Sequence, residues 1–179
     1  MIRAAIPLSL VTAAVALPAA TAPAGDHGSS TFEGTCDFAG VLRQDPPLTN
    51  APAHGEARAR AKGPCSGTWT DARGRVHELD GDAVTYVARA EGTVSCEGGS
   101  ATGSGFLRYR RDRLEFDFSE VRGPGAAAIS LQGEDGGGAG GAAAVSEDED
   151  PAEIAEKCGG EGVRQVGIRI HLASPGISG

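Results

Sequence analysis

The sequence predicts an all-β fold: an antiparallel, barrel-like meander of about eight to ten strands, with a β-sandwich as the alternative. A short helix is expected before the last strand. Three observations carry this reading. From Thr31 onward, apolar residues tend to recur at every second position, the period of a half-buried strand. Turn signals between these runs are closely spaced, so sequence neighbours can pair directly, which favours a meander. Only the stretch around Asp150–Gly160 carries helix start and stop signals.

In the first strand, Phe32, Gly34, Cys36 and Phe38 share one face, with Thr31, Glu33, Thr35 and Asp37 on the other. Pro46-Pro47 and Pro52 break regular structure and mark a loop. In the next strand Glu56, Arg58, Arg60 and Lys62 alternate with Ala57, Ala59 and Ala61. The charged face must be solvated, and the alanines suit close approach by another layer. Further strands are expected at Ser66–Thr70, Arg75–Leu79, Ala83–Ala90, Gly92–Cys96 and Ala127–Leu131, with turns at Asp71-Ala72-Arg73-Gly74 and Asp80-Gly81-Asp82. Phe106–Phe118 reads as a hairpin with a two-residue turn at Arg111-Asp112. That turn pairs Tyr109 with Leu114 and Leu107 with Phe116 on the buried face. Outside, it sets Arg108 against Glu115, an ion pair of roughly 0.2–1 kcal/mol. The last long strand alternates Val166, Ile168, Ile170 and Leu172 with Gly167, Arg169 and His171.

Residues 133–150 read as a flexible, Gly-rich acidic loop within the domain. It contains the run Gly136–Gly141, in which Ala139 is the sole non-glycine, and then Glu147-Asp148-Glu149-Asp150. The chain's net charge of −8 is concentrated here, since Gly133–Gly162 holds nine acids against Lys157 alone. Few of these residues can join a core, so Gly133–Asp150 is expected to be mobile and dispensable for folding. Asp150 then reads as a helix cap, Pro151 as first-turn residue and Glu153 as the partner in a capping box, with Gly159 and Gly160 ending the helix.

Residues 1–24 have the pattern of a signal peptide: Arg3, an apolar run from Ala4 to Ala20, and Ala22-Pro23-Ala24 as the cleavage site. Residues 25–179 then form a single secreted β-domain. No cysteine follows the apolar run and no apolar anchor ends the chain, so no membrane association is expected after cleavage. In an oxidising compartment Cys36, Cys65, Cys96 and Cys158 become a disulfide framework. Several connectivities are possible. Cys36–Cys65 with Cys96–Cys158 is favoured, the first joining adjacent strands and the second tying the acidic excursion to the sheet. A cysteine metal site is disfavoured because no Cys-x-x-Cys spacing occurs.

The remaining chemistry is sparse. Phosphate neutralisation needs a basic face, so the acidic balance argues against nucleic acid. His27 precedes the first strand, and His54, His77 and His171 fall in different elements without zinc-ligand spacing. Ser104 sits in Gly103-Ser104-Gly105, but Thr102 and Phe106 occupy the outer glycine positions of a nucleophile elbow. Gly136, Gly138 and Gly141 match a dinucleotide fingerprint only formally, inside a low-complexity run. Glu147–Asp150 lacks the alternating ligands of a calcium loop. Glu78, Asp80 and Asp82 cluster at an expected turn with no identified cleft. No catalytic, cofactor-binding or metal residue is therefore assigned, and no cofactor is expected.

Cys36-Asp37-Phe38-Ala39-Gly40, Pro46-Pro47-Leu48, Cys65-Ser66-Gly67-Thr68, Cys96-Glu97-Gly98-Gly99 and Cys158-Gly159-Gly160 together resemble small secreted β-domain proteins of actinobacterial type, from GC-rich genomes. The resemblance implies a secreted β-domain and carries no catalytic residues across.

The functional expectation is an extracellular binding or envelope-associated protein whose partner is a ligand, a glycan or an envelope component. Trp69, Tyr86 or Tyr109 exposed beside a concavity would mark ligand or glycan binding; burial of all three would favour a scaffold or protein-interaction role. A surface protein whose acidic loop repels anionic wall polymers is a further possibility. The alternative is a small secreted enzyme, a hydrolase or barrel isomerase. It needs His54, His77 or His171 to converge with an acid and a Ser or Tyr.

Overall fold

In a computed structural model of the chain, residues 28–179 are described. The expected signal peptide at residues 1–24 and His27 lie outside them. Eight antiparallel strands follow in sequence order and close into a barrel: β1 (Thr31–Leu48), β2 (Ala53–Thr70), β3 (Val76–Ser95), β4 (Gly98–Tyr109), β5 (Asp112–Gly123), β6 (Ala126–Gly133), β7 (Gly136–Val145) and β8 (Val163–Ser178). The helix α1 (Pro151–Gly159) precedes β8. Closure is made by β8 returning to pair with β1, Phe38 opposite Ile170 and Leu42 opposite Val166. It leaves no exposed sheet edge, the feature that distinguishes a barrel from a sandwich.

The alternating residues fill the inside as their pattern requires. Phe32, Cys36 and Phe38, then Val166, Ile168, Ile170 and Leu172, are buried, while Arg58, Arg60 and Lys62 remain outside. Several strands expected separately are one: β3 runs unbroken for 20 residues. Asp80-Gly81-Asp82 is accordingly not a turn. Cys65 pairs with Asp82 and Ser66 with Asp80, which makes Gly81, at φ 77°, the extra residue of a bulge. Leu79 and Val84 are both buried although an odd number of positions separates them, and the bulge restores their common phase. Pro46-Pro47 likewise lies within β1 rather than in a loop. There the pairing with β8 shifts register between Arg43 and Leu48, where a residue without an N–H can be accommodated.

The β4–β5 hairpin turns at Arg110-Arg111, with Arg110 at φ 55° and Tyr109 opposite Asp112. This corrects the expected register: Leu107 faces Leu114, and Arg108 faces Arg113 instead of Glu115. The shift is by two positions, so every side chain keeps its face. Glu115 is bridged by Arg113 of its own strand at 2.8 Å. Phe116 now stands opposite Gly105, where an added Cβ would lie 2.8 Å from the Phe116 ring. The glycine is needed for that close approach.

The largest correction concerns residues 133–150. Gly133 ends β6, and Gly136–Val145 is a full barrel strand, pairing on one side with Ala126–Gln132 and on the other with β8. A ladder needs backbone N–H and C=O groups, which glycine and alanine supply as well as any residue. What they lack is the apolar alternation by which a strand is recognised. The acids beyond β7 are partly used locally. Glu149 Oε1 accepts from Gly167 N at 2.5 Å, and Asp150 Oδ1 caps the helix by accepting from Ala152 N at 2.8 Å. The capping box does not close, because Glu153 takes Lys157 Nζ at 2.6 Å.

Both disulfides are present: Cys36–Cys65 joins directly opposed residues of β1 and β2, and Cys96–Cys158 ties α1 to the end of β3. They fit a stabilised extracellular β-domain. Among the described residues no helix is long and apolar enough to cross a membrane.

Candidate functional site: an apolar cavity beneath the helix

The two ends of the barrel are filled differently. At the end holding the β2–β3 and β4–β5 turns, large side chains occupy the interior, with Trp69 packed between Phe32 (ring centroids 6.1 Å apart) and Tyr109 (5.8 Å). Across the middle, Tyr86 lies against Phe38 and stacks on Phe116, each at 5.7 Å. Beyond that layer the inward positions of β2 and β3 are small: Ala57, Ala59, Ala88 and Ala90. Opposite walls cannot meet across these methyl groups, and a cavity of about 150 Å³ remains. Ile154 and Cys158 of α1 border it on the side of the helix, and Leu42, Phe118, Ile168 and Ile170 complete an apolar lining.

Polar groups in this lining are few. Glu120 and Arg122 follow Leu114, Phe116 and Phe118 in the inward phase of β5, and each side chain is 10% exposed. Arg122 donates from Nε at 2.8 Å and from Nη2 at 2.6 Å, both to Glu120 Oε1. Both contacts fall on a single carboxylate oxygen, so Oε2 has no side-chain partner among the described residues. Tyr86 is 2% exposed and lines the cavity. Burial, with the Glu120 charge adding to it, pushes its hydroxyl well above the ordinary tyrosine value, so the phenol stays protonated. Gln44, inward on β1 beside this region, has a buried Oε1 without a partner.

The aromatic residues singled out in the sequence are all buried: Trp69, Tyr86 and Tyr109. None offers a surface platform for a sugar ring, and by the criterion read from the sequence this burial favours a scaffold or protein-interaction role. Tyr86, however, borders an internal space, a case that surface exposure does not capture. The histidines do not converge. His54 is exposed at the start of β2. His77 sits 3.4 Å from Asp71 at the opposite end, and His171 Nδ1 lies 2.8 Å from Asp37 on the outer wall. None of them lines the cavity. Ser104 is on the outer face opposite Asp117. Among the described residues no group of three or more His, Cys, Asp or Glu side chains could hold a metal ion.

Asp71 has a structural explanation. Its buried carboxylate accepts from the backbone N–H groups of Arg75 and Arg73 at 3.0 and 2.9 Å, and from Arg75 Nε at 2.7 Å. The Arg75 backbone hydrogen bond leads in holding the carboxyl well below the usual range, with burial opposing it. It organises the turn into β3.

Glu120 and Arg122 were missed in the sequence although a signal exists. Extending the alternation of Leu114, Phe116 and Phe118 two further steps puts both charges inside.

A prediction on ionisation follows from the two tyrosines. Tyr109 is also raised, chiefly by burial, with Arg110 opposing and Asp82 adding to it. A raised folded value means stability present below about pH 10, the unfolded tyrosine value, and lost as pH rises above it. Phenolate absorbance should therefore stay flat through pH 10 and appear together with unfolding. A phenolate transition near pH 10 in protein that is still folded would contradict the burial of these groups.

The fold and site define a disulfide-stabilised, eight-stranded antiparallel β-barrel with an apolar cavity at one end. Comparison with known protein families, curated proteins and solved structures finds no match for the chain.

Proposed function

We propose that this protein is an extracellular binding barrel that takes a small apolar molecule into the cavity beneath α1. The observation that carries this reading is the unequal filling of the interior. Aromatic packing closes one end, while consecutive inward alanines leave space at the other. A void left by chance costs stability through lost contacts, roughly 24 cal/mol per Å³ in core-truncation series. A ligand that fills it recovers those contacts. A volume of this order holds one six-membered ring. Mouths of small barrels are a common place for such sites.

A methyl-labelled sample titrated with cyclohexanone tests the proposal. Saturable shifts are expected at Leu42, Ile168 and Ile170, and binding should weaken at least tenfold (about 1.4 kcal/mol) in Ala59→Leu, which fills the space from β2. Ala59→Leu should melt no lower than the parent, because it adds apolar contact to a void. Unsaturable shifts, or equal binding by the filled variant, would remove the reading.

The enzyme alternative finds less support. Glu120 is engaged by Arg122, Tyr86 is held neutral, and no histidine reaches the cavity. An envelope-associated role is compatible with a binding barrel and concerns where the ligand is met rather than how it is held.

A further inference from the structure

The cavity discriminates by the polar group its ligand carries; this rests on the binding reading above. We infer that the ligand is a small neutral organic molecule bearing an oxygen acceptor, such as a cyclic ketone, and that the Tyr86 hydroxyl donates to this oxygen while Glu120 excludes carboxylates.

Tyr86 supplies the first half of the argument. Its ring is fixed by the stack on Phe116 and the contact with Phe38, so the hydroxyl has little freedom to seek a partner. No side chain among the described residues hydrogen-bonds to it, and burial, with the Glu120 charge adding to it, disfavours its ionised form. The hydroxyl belongs to a residue lining the cavity, and a ligand oxygen placed against it adds a hydrogen bond inside an apolar surround. Because the phenol stays protonated, it acts as a donor throughout the neutral range. The matching group on the ligand is therefore an acceptor.

The second half concerns charge. Among the described residues Arg122 is the only cationic side chain in the lining, and both of its contacts are already given to Glu120 Oε1. An incoming carboxylate would meet an engaged guanidinium and the free Oε2 of Glu120. In an apolar cavity that like-charge contact is strongly unfavourable. An ammonium would face Glu120 Oε2 with Arg122 beside it, and its burial would likewise go largely uncompensated. A neutral oxygen needs no rearrangement of the pair. A ligand hydroxyl could in addition donate to Oε2.

Three probes of one ring size separate these statements: methylcyclohexane, cyclohexanone and cyclohexanecarboxylate. Each probe is measured against the parent and against Tyr86→Phe, so that the greater water-to-cavity transfer gain of the hydrocarbon cancels. Cyclohexanecarboxylate should show no saturable binding. Tyr86→Phe keeps the ring and its stacking. It should weaken cyclohexanone binding about five- to tenfold, the scale of one net hydrogen bond, while leaving methylcyclohexane affinity unchanged. The carbonyl stretch of bound cyclohexanone should move to lower frequency in the parent and not in Tyr86→Phe. In Glu120→Gln, checked for an intact melting transition, Arg122 is released and cyclohexanecarboxylate should begin to bind.

Cyclohexanone affinity unchanged by Tyr86→Phe would overturn the inference while leaving the cavity as a binding site. So would a carbonyl stretch indifferent to Tyr86→Phe, or tight carboxylate binding by the parent. Failure of both neutral probes to bind would instead remove the binding reading, and this inference with it.

Discussion

Excising Gly136–Val145 and rejoining the flanks should abolish cooperative unfolding, although the segment contributes few large side chains to the core. β7 is paired on both sides, with β6 from Ala126 to Gln132 and with β8 from Ile168 to Ser178. Its loss leaves facing edges on β6 and β8 about two strand spacings apart, roughly 10 Å. These edges cannot meet unless strand tilt and stagger readjust around the whole barrel, because both are coupled to strand number. The expected product is a chain without a sharp melting transition that aggregates through its open edges. Replacing Glu147 and Asp148 by alanine is the control. Both are exposed beyond the strand, and the change should stay within about 0.5 kcal/mol. A deletion variant melting like the parent would show that β7 is not a structural stave of the barrel.

The second large effect is expected from Cys96→Ser with Cys158→Ser. The bridge closes a separation of 62 residues, for which chain entropy predicts a loss of about 4.3 kcal/mol on its removal. The corresponding figure for Cys36–Cys65, separated by 29 residues, is about 3.6 kcal/mol. The consequences differ in place as well as size. Cys36 and Cys65 are opposed within a continuous ladder that persists without the bond. Cys158 belongs to α1, which is otherwise fastened by the Asn50 N to Cys158 O hydrogen bond at 3.1 Å and by the packing of Ile154. Losing Cys96–Cys158 should accelerate amide exchange across Pro151–Gly159 and lower the midpoint of chemical denaturation. Unchanged exchange in α1 would mean that its remaining contacts suffice to hold it over the cavity.

Much of the barrel was legible because half-burial writes itself into alternation. The strands around Phe32–Phe38, Ala57–Ala61 and Val166–Leu172 show their inward faces directly, and Asp150-Pro151 marks the helix start without tertiary help. Legibility failed where the physical requirement is carried by the backbone. Gly136–Val145 forms its ladders with almost no side-chain signal. Asp80-Gly81-Asp82 has the composition of a turn, yet continues a strand because a bulge there keeps Leu79 and Val84 in phase. The register of β4 on β5 was misplaced by two positions because either register keeps Leu107, Tyr109, Leu114 and Phe116 inside.

The sequence by itself determined the strand faces, the capped helix and the antiparallel meander, since periodicity and capping act within a few residues. It also contained the inward phase of Glu120 and Arg122. Only the tertiary structure decided that the sheet closes through a Gly- and Ala-rich strand and which residues oppose each other across the interior. Cavity volume is a property of opposing walls: alanines from β2 and β3, residues of β5 and β8, and a helix held by a distant cysteine. Their separation is set by closure, so no local pattern encodes the space they leave.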